Sequence, residues 1–199
     1  MEKKSSFFDT RAETWEGTCY PPPVRKRLND LIREFKVKTG ERLLDVGTGP
    51  GVLLPYLHEG VGPAGQVCAF DLSLEMLRQA DQKPRAVHDM LFQGDVHHIP
   101  FADGAFDRVI CFAAFPHFED PALALQEMSR VLRTNGVLII AHLMSRRELT
   151  EHHGTHETVA RDLLPPAPLM VSLFAEADLS LPEIVDIPGR YLARGIKNR

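Results

Sequence analysis

The chain has 199 residues, of which 44% are hydrophobic and 25% charged, and its formal net charge is −4. This balance is typical of one ordinary globular unit, and lysine and arginine form no stripe of the kind that binds nucleic acid. The N-terminus lacks the apolar core of a signal peptide, and no apolar run approaches the ~20 residues of a membrane span. Cys68 and Cys111 lie inside apolar runs, so we expect buried, reduced thiols and a cytoplasmic location.

Two helices are predicted in the first 40 residues. Phe8, Ala12 and Trp15 recur at helical spacing. Three prolines at residues 21–23 end this first helix. Apolar residues recur again at helical spacing over residues 24–35, and this pattern predicts the second helix.

Five short apolar runs then alternate with helical patterns. The predicted strands span residues 42–46, 66–70, 90–92, 106–112 and 137–143. Asp120-Pro121 predicts a helix start, because a capping carboxylate precedes proline at the first helical position. Asn135-Gly136 is predicted to end that helix. Continuous apolar strands separated by helices indicate a parallel sheet that is covered on both faces.

The C-terminal part follows a different pattern. A helix is predicted over residues 169–177, and two strands at 183–187 and 191–196 flank a turn at 188–190. Strands joined by so short a link must run antiparallel, since a parallel crossover needs about a dozen residues or more. The predicted fold is therefore an α/β three-layer sandwich with a mostly parallel seven-stranded sheet whose last strand is antiparallel.

The turn after the first strand, residues 45–51, reads DVGTGPG. Glycines let the backbone pass close beneath a ligand, and the helix that follows presents free N–H groups. A dinucleotide site spaces its glycines as G-x-G-x-x-G, whereas Gly47, Gly49 and Gly51 follow G-x-G-x-G. Asp45 precedes them, where a carboxylate repels a pyrophosphate and attracts an ammonium or sulfonium group. The turn therefore favours a cationic ligand over NAD.

Two further carboxylates end the next two predicted strands. Asp71 lies 20 positions after Gly51, where an acid can accept hydrogen bonds from both ribose hydroxyls of a nucleoside. Asp95 ends the third strand, where it can accept from the exocyclic amine of adenine. Each acid alone could instead cap a helix. Because Asp45, Asp71 and Asp95 all converge on the crevice where such sheets bind ligands, a nucleoside site is favoured.

These stretches resemble the class I S-adenosylmethionine-dependent methyltransferases, particularly the ubiquinone and menaquinone biosynthesis branch. The resemblance rests on LLDVGTGPG (43–51), FDLSLEML (70–77), QGDVHHIPFADGAFDRVIC (93–111), FPHFEDP (115–121) and EMSRVLRTNGVLII (127–140). It implies a Rossmann-like fold, S-adenosyl-L-methionine as cofactor and S-adenosyl-L-homocysteine as product, but says almost nothing about the acceptor. The leading hypothesis is in-line methyl transfer from the sulfonium to a small-molecule acceptor. The implied cofactor-binding residues are Asp45, Gly47, Thr48, Gly49, Gly51, Asp71, Leu72, Asp95 and Val96.

The resemblance also implies how the chain is organised. Residues 1–199 are expected to form one methyltransferase domain, with N-terminal lid helices over residues 5–35. Residues 145–168 form an acceptor-side insert that contains the histidine-rich run ELTEHHGTHETVARDLLPP. On one continuous helix, His152, His153 and His156 share a face with apolar residues of the insert, and the histidines are then expected to point inward.

Three interpretations of these histidines stay open. His152 and His156, four positions apart, could ligate a metal ion. Alternatively His153, His156 or His117 (after the fourth strand) could deprotonate an acceptor hydroxyl, or the imidazoles could line a polar pocket without chemistry. Because the sulfonium is already an activated methyl donor, no catalytic dyad is obligatory.

Other functions compete with a small-molecule methyltransferase. A non-catalytic binding module that responds to S-adenosylmethionine or metal stays open, whereas an NAD-dependent oxidoreductase is disfavoured by the glycine spacing. A nucleic-acid adenine methyltransferase is disfavoured because residues 112–115 read FAAF where those enzymes carry an acid or amide followed by Pro-Pro-aromatic. The sequence indicates no oligomeric state.

Overall fold

Strands and helices alternate along the computed structural model, which describes residues 2–155 and 157–198. The strands are β1 (Arg42–Val46), β2 (Gln66–Asp71), β3 (Met90–Gln93), β4 (Phe106–Phe112), β5 (Leu132–His142), β6 (Leu179–Ile187) and β7 (Arg190–Lys197). The helices are α1 (Glu2–Asp9), α2 (Ala12–Cys19), α3 (Pro22–Glu34), α4 (Leu54–Val61), α5 (Leu74–Ala80), α6 (Pro121–Arg130), α7 (Arg146–His153) and α8 (Ala167–Glu176), with a 3-10 helix at Phe115–His117.

The strands form one seven-stranded sheet in the order β3-β2-β1-β4-β5-β7-β6. All pairs from β3 to β5 are parallel, and β7 runs antiparallel to both β5 and β6. The predicted α/β fold with one antiparallel strand is thus confirmed. The carboxyl ends of β1, β2, β3 and β4 meet at one edge, as they must in a parallel arrangement.

Adjacent residues of β1 point into different cores. Leu43 packs with Leu28 and Leu57 of α3 and α4, whereas Leu44 packs with Met128 of α6 and Phe174 of α8. Because side chains alternate across a strand, a continuous apolar run such as β1 fills both faces of the sheet at once. This double burial produces the three layers.

Several predicted element boundaries were wrong. The first helix is divided into α1 and α2 by a turn at residues 10–11. Helix α6 ends at Arg130, before the predicted stop at Asn135-Gly136, and β5 begins at Leu132. The reason is tertiary pairing, because Leu132 pairs with Phe106 of β4 before a register shift restores regular pairing at Val137.

A buried ion pair fastens the start of β1 to β4. Arg108 donates to both carboxylate oxygens of Glu41 at 2.8 and 2.9 Å, and the two side chains are only 5% and 10% exposed. We expect Arg108→Met to lower the free energy of unfolding by about 3–5 kcal/mol, because it leaves Glu41 buried without its partner. Urea denaturation at pH 7 measures this loss.

The exposed pair of Arg33 and Asp30 supplies the matched control. Arg33→Met should cost less than about 0.5 kcal/mol. Adding Glu41→Gln to Arg108→Met should recover part of the loss, because it removes the stranded charge. A loss below about 1 kcal/mol for Arg108→Met alone would contradict a structural role for the buried pair.

Candidate active site

A cavity opens at the carboxyl ends of β1, β2, β3 and β4. Its walls come from residues 46–50, 70–73, 94–97 and 112–114, which directly follow or end these strands. Phe8 of α1 and Trp15 of α2 also line it, and their rings contact each other edge-on at 5.5 Å between centroids. The two N-terminal helices therefore cover the edge where parallel α/β sheets bind ligands.

The three glycines of the turn have positive φ angles and different surroundings. A Cβ on Gly47 would lie 2.5 Å from the Cβ of Ala114, so there is no space for a side chain at this position. A Cβ on Gly49 would meet no atom within 4 Å and would enter the cavity. A Cβ on Gly51 would collide with Leu54 and Ala80. Gly47 and Gly49 thus border the ligand space, whereas Gly51 serves the packing of the turn.

Asp45 lies beneath this turn with 1% of its surface exposed. Its Oδ2 accepts a hydrogen bond from the Thr48 hydroxyl at 2.7 Å. Burial raises the pKa of the Asp45 carboxyl to about 7, with the Thr48 hydrogen bond lowering it and the charge of Asp71 raising it further. A cationic ligand above the turn would favour the ionised carboxylate, since an opposite charge stabilises the charged form.

Asp71 joins the turn to the end of β2. Its Oδ2 accepts from the backbone N–H of Gly49 at 2.8 Å, and its Oδ1 accepts from the N–H of Ser73 at 2.9 Å. Burial raises the pKa of Asp71, and these backbone N–H groups oppose that rise. The Ser73 hydroxyl in turn donates to Asp9 at the end of α1, at 2.5 Å. The first lid helix is therefore tied to the residue that follows β2.

Asp95 is held by a histidine that sequence reasoning did not select. Oδ1 of Asp95 accepts from the backbone N–H of His97 at 3.0 Å and contacts its Nδ1 at 2.7 Å. On the other side of the ring, Nε2 of His97 accepts a hydrogen bond from the backbone N–H of Asp120 at 3.2 Å. Both contacts with His97 use only Oδ1 of Asp95. The short Asp-x-His spacing was the available signal.

The predicted inward-facing helix of the insert is interrupted. Helix α7 ends at His153, and residues 154–155 and 157–161 form turns rather than further helix. His152 is exposed, so its predicted inward position was wrong, whereas His153 is buried. His156 lies outside the described residues. Among the residues that the structure does describe, no group of three or more candidate ligands is arranged to hold a metal ion.

The turn after α7 brings Asp162 to two histidines. Oδ2 of Asp162 lies 2.8 Å from Nδ1 of His117, and its carbonyl oxygen lies 2.6 Å from Nδ1 of His153. The His117 and His153 rings are 5.1 Å apart. His142 at the end of β5 lies near them, and burial, followed by the charges of His117, His153 and His152, lowers its pKa to about 3. Asp162 was missed in the sequence, because no local pattern marks it.

The charges around the cavity test which ligand fits. Among the described residues that line it, the charged side chains are Asp71, Asp95 and Glu119, and none is a lysine or arginine. Pyrophosphate sites carry donors or cations instead. An adenosyl sulfonium with an ammonium group suits these acids. The open space beside Gly49 leaves room for the part of such a ligand that would lie against the backbone of the turn.

A family model described as a methyltransferase domain matches residues 44–140. The match runs from β1 into β5 and so includes the glycine turn, Asp45, Asp71 and Asp95. Over these residues the chain is similar to the class I S-adenosylmethionine-dependent methyltransferases. S-Adenosyl-L-methionine is the cofactor of this class, as the resemblance implied.

Relatives and solved structures agree with this methyltransferase domain. The chain is 38% identical over 111 residues, 55% of its length, to a 37.1 kDa protein of transposon TN4556 from Streptomyces fradiae, 32% of which is covered. It is 34% identical over 116 residues, 58% of its length, to demethylmenaquinone methyltransferase of Staphylococcus carnosus, 47% of which is covered. The chain thus spans less than half the length of these curated relatives.

The fold has a counterpart of nearly the same extent. The methyltransferase in a complex with the Trm112 methyltransferase activator of Haloferax volcanii superimposes with a TM-score of 0.81. The similarity covers 96% of this chain and 98% of that one at 21% identity, so it shows the Rossmann-like fold of the methyltransferase domain.

The nine residues that the sequence indicated for cofactor binding lie in or next to the cavity. Seven line the cavity: Gly47, Thr48, Gly49, Asp71, Leu72, Asp95 and Val96. Asp45 lies beneath the turn, and Gly51 packs behind it. Among the histidines that the resemblance and the insert pointed to, His117 lines the cavity, and His153 is linked to His117 through Asp162.

Proposed function

We propose that this chain transfers a methyl group from S-adenosylmethionine to a small-molecule acceptor bound in the same cavity. The observation that carries the proposal is the charge of the site: a glycine-floored cavity at the sheet edge whose charged lining, among the described residues, is acidic. Such a lining complements a sulfonium cofactor and repels phosphate groups.

Each acid has a separate role in this proposal. Asp45 faces the positive methionine part through the turn, Asp71 accepts the ribose hydroxyls, and Oδ2 of Asp95 accepts the adenine amine. Bound S-adenosylmethionine supplies a methyl group that is already activated for transfer. The chain then contributes mainly proximity and orientation, which can be worth effective molarities of about 10⁵ M or more.

The acceptor side is expected to be aromatic and shielded from water. Phe8, Trp15, Tyr20, Phe112 and Phe118 line the cavity, and a ring-shaped acceptor can stack on such walls. Among the relatives, the demethylmenaquinone methyltransferases act by name on a quinone. These features support a small aromatic acceptor rather than a nucleic acid.

The proposed organisation follows the prediction from sequence. Residues 1–199 act as one domain, residues 5–35 cover the cofactor, and residues 145–168 shape the acceptor end. Of the helices that the structure describes, none combines the length and the apolar character needed to cross a bilayer. The cytoplasmic location stays a prediction.

Calorimetric titration with S-adenosylmethionine and S-adenosylhomocysteine tests the proposal directly. Both compounds should bind with micromolar affinity, and NADH should not. Transfer of a radiolabelled methyl group is then measured with aromatic acceptors, beginning with 1,4-dihydroxynaphthalene, whose hydroxyls are protonated at neutral pH. Folded protein that binds neither compound would refute the proposal, and binding without transfer to any acceptor would favour the non-catalytic binding module.

A further inference from the structure

His117 and Asp162 form an acid–imidazole pair at the wall of the proposed acceptor site. We infer, on the basis of the proposed methyl transfer, that His117 is the general base that takes the acceptor's proton and that Asp162 is the residue that positions it. Sequence reasoning included His117 among several candidate histidines and did not identify Asp162.

The pair joins two distant parts of the chain. His117 ends the 3-10 helix after β4 and lines the cavity, with its ring 5.0 Å from that of Phe8. Asp162 comes from the insert, 45 positions later, and its side chain is 7% exposed. An acid so deeply buried is costly unless a partner satisfies it, and Nδ1 of His117 is such a partner at 2.8 Å.

This contact determines which ring nitrogen is basic. A carboxylate only accepts hydrogen bonds, so Nδ1 of His117 must carry the hydrogen. In the neutral ring Nε2 then has the lone pair and is the nitrogen that can accept a proton. A carboxylate behind an imidazole also stabilises the imidazolium that forms during proton transfer.

His153 has a different role from the one the sequence suggested. Its Nδ1 donates to the backbone carbonyl of Asp162 at 2.6 Å, and it is not among the residues that line the cavity. It therefore holds the segment that carries the carboxylate, while His117 faces the ligand space. The structure thus separates the candidates by contact with the cavity.

One carboxylate and two further histidines surround His117. Asp162 is the carboxylate at its Nδ1, and His142 and His153 pack nearby from β5 and α7. Burial followed by the charges of its neighbours lowers the pKa of His142 to about 3, and the pKa of His153 is lowered mainly by burial. Both neighbours are therefore neutral at pH 7, and a proton taken by His117 meets no fixed positive charge from them.

The inferred step needs an acceptor whose nucleophilic atom is protonated at neutral pH, such as a hydroxyl on an aromatic ring. Nε2 of His117 takes the hydroxyl proton as the oxygen forms a bond to the methyl carbon. The bond between that carbon and sulfur breaks, its electron pair stays on sulfur, and the proton later leaves His117 for solvent. A general base of this kind contributes about 10²–10⁴-fold to the rate.

Nitrogen-15 NMR of the histidine rings tests the inference without any acceptor. In labelled wild-type protein saturated with S-adenosylhomocysteine, neutral His117 should be protonated on Nδ1. In Asp162→Asn this preference should be lost, because the asparagine amide can itself donate to Nδ1. The control Glu157→Gln removes an exposed carboxylate from the same insert and should leave the His117 signals unchanged.

Methyl transfer to 1,4-dihydroxynaphthalene provides the second readout. His117→Gln should lower turnover by about 100-fold, and Asp162→Asn by about 10-fold or more. Both variants should keep the wild-type dissociation constant for S-adenosylmethionine within about twofold, because neither residue is assigned to the cofactor, whereas Glu157→Gln should change neither quantity.

The outcomes distinguish this inference from the proposed function. A wild-type protein that binds neither S-adenosylmethionine nor S-adenosylhomocysteine would overturn both. Normal binding with His117 protonated on Nε2 in the wild type would overturn only the role of the pair. Equal turnover of Asp162→Asn and Glu157→Gln would also overturn it.

Discussion

Asp71→Ala is expected to weaken the binding of S-adenosylmethionine and S-adenosylhomocysteine by about 100-fold or more. Two hydrogen bonds from ribose hydroxyls to a carboxylate are worth about 3 kcal/mol together, which corresponds to that factor. The change also removes the acceptor for the N–H groups of Gly49 and Ser73, so the glycine turn loses its hydrogen bond to the end of β2. Isothermal titration calorimetry measures both dissociation constants.

Two further variants show whether the effect belongs to the site. Asp71→Asn keeps one acceptor oxygen, so its affinity for both compounds should fall by about 10-fold, which lies between wild type and Asp71→Ala. Asp81→Ala removes a carboxylate just after α5, outside the cavity lining, and should bind normally. A dissociation constant within about threefold of wild type for Asp71→Ala would contradict the ribose assignment.

Asp45→Asn should change affinity and stability in opposite directions. The variant removes the charge that faces the ammonium and sulfonium groups, so cofactor affinity should fall by about 10- to 100-fold. Without cofactor, the same variant should be more stable than wild type at pH 8. The wild-type protein must hold a buried carboxylate there, whereas asparagine is neutral and can still accept from the Thr48 hydroxyl.

The sign follows from the pKa of Asp45, which burial raises from 3.8 to about 7 in the folded chain. Folding therefore favours the protonated carboxyl. The stabilisation that protonated Asp45 gives the folded state is fully present below about pH 4 and is lost as the pH rises to about 7. The variant should gain up to about 4 kcal/mol at pH 8 and roughly half of that at pH 5. Urea denaturation of cofactor-free protein at both values measures the difference.

A stability difference that stays constant between pH 5 and pH 8 would show that the Asp45 carboxyl titrates normally. An Asp45→Asn variant that is less stable than wild type at pH 8 would refute the idea that the ionised, buried Asp45 carboxylate destabilises the folded protein. Thr48→Val is the useful companion, because it removes the hydrogen bond from the Thr48 hydroxyl to Asp45 and should push the carboxyl further towards its neutral form.

The sequence was sufficient for the sheet and for most of the cofactor side of the cavity. Continuous apolar runs such as β1 and β4 are buried on both faces, and such runs are recognisable without tertiary information. Asp71 and Asp95 were predictable because Asp71 ends β2 and Asp95 lies two positions after β3, and the carboxyl ends of parallel strands always meet. The position of such a residue relative to a predicted strand is enough to predict that it lies at this edge of the sheet.

The acceptor side was not predictable in the same way. Asp162 reaches His117 only because α7 stops at His153 and the chain turns back, whereas the helical pattern in the insert continued past Gly154. His97 gains its role from Asp95 and from the backbone of Asp120, which come together through tertiary structure. Contacts between elements, rather than residue type or spacing, define these positions.

The place of β7 in the sheet has a consequence for biosynthesis. Although β7 follows β6 in the chain, it lies between β5 and β6, so β5 keeps an unpaired edge while the ribosome is still translating residues 190–197. The nascent chain can form β1 to β5 early, but it exposes a strand edge to neighbouring polypeptides until the hairpin of β6 and β7 has left the ribosome. Translational pausing or chaperone supply while residues 179–197 are being translated should therefore influence the yield of native protein more than the same interventions earlier.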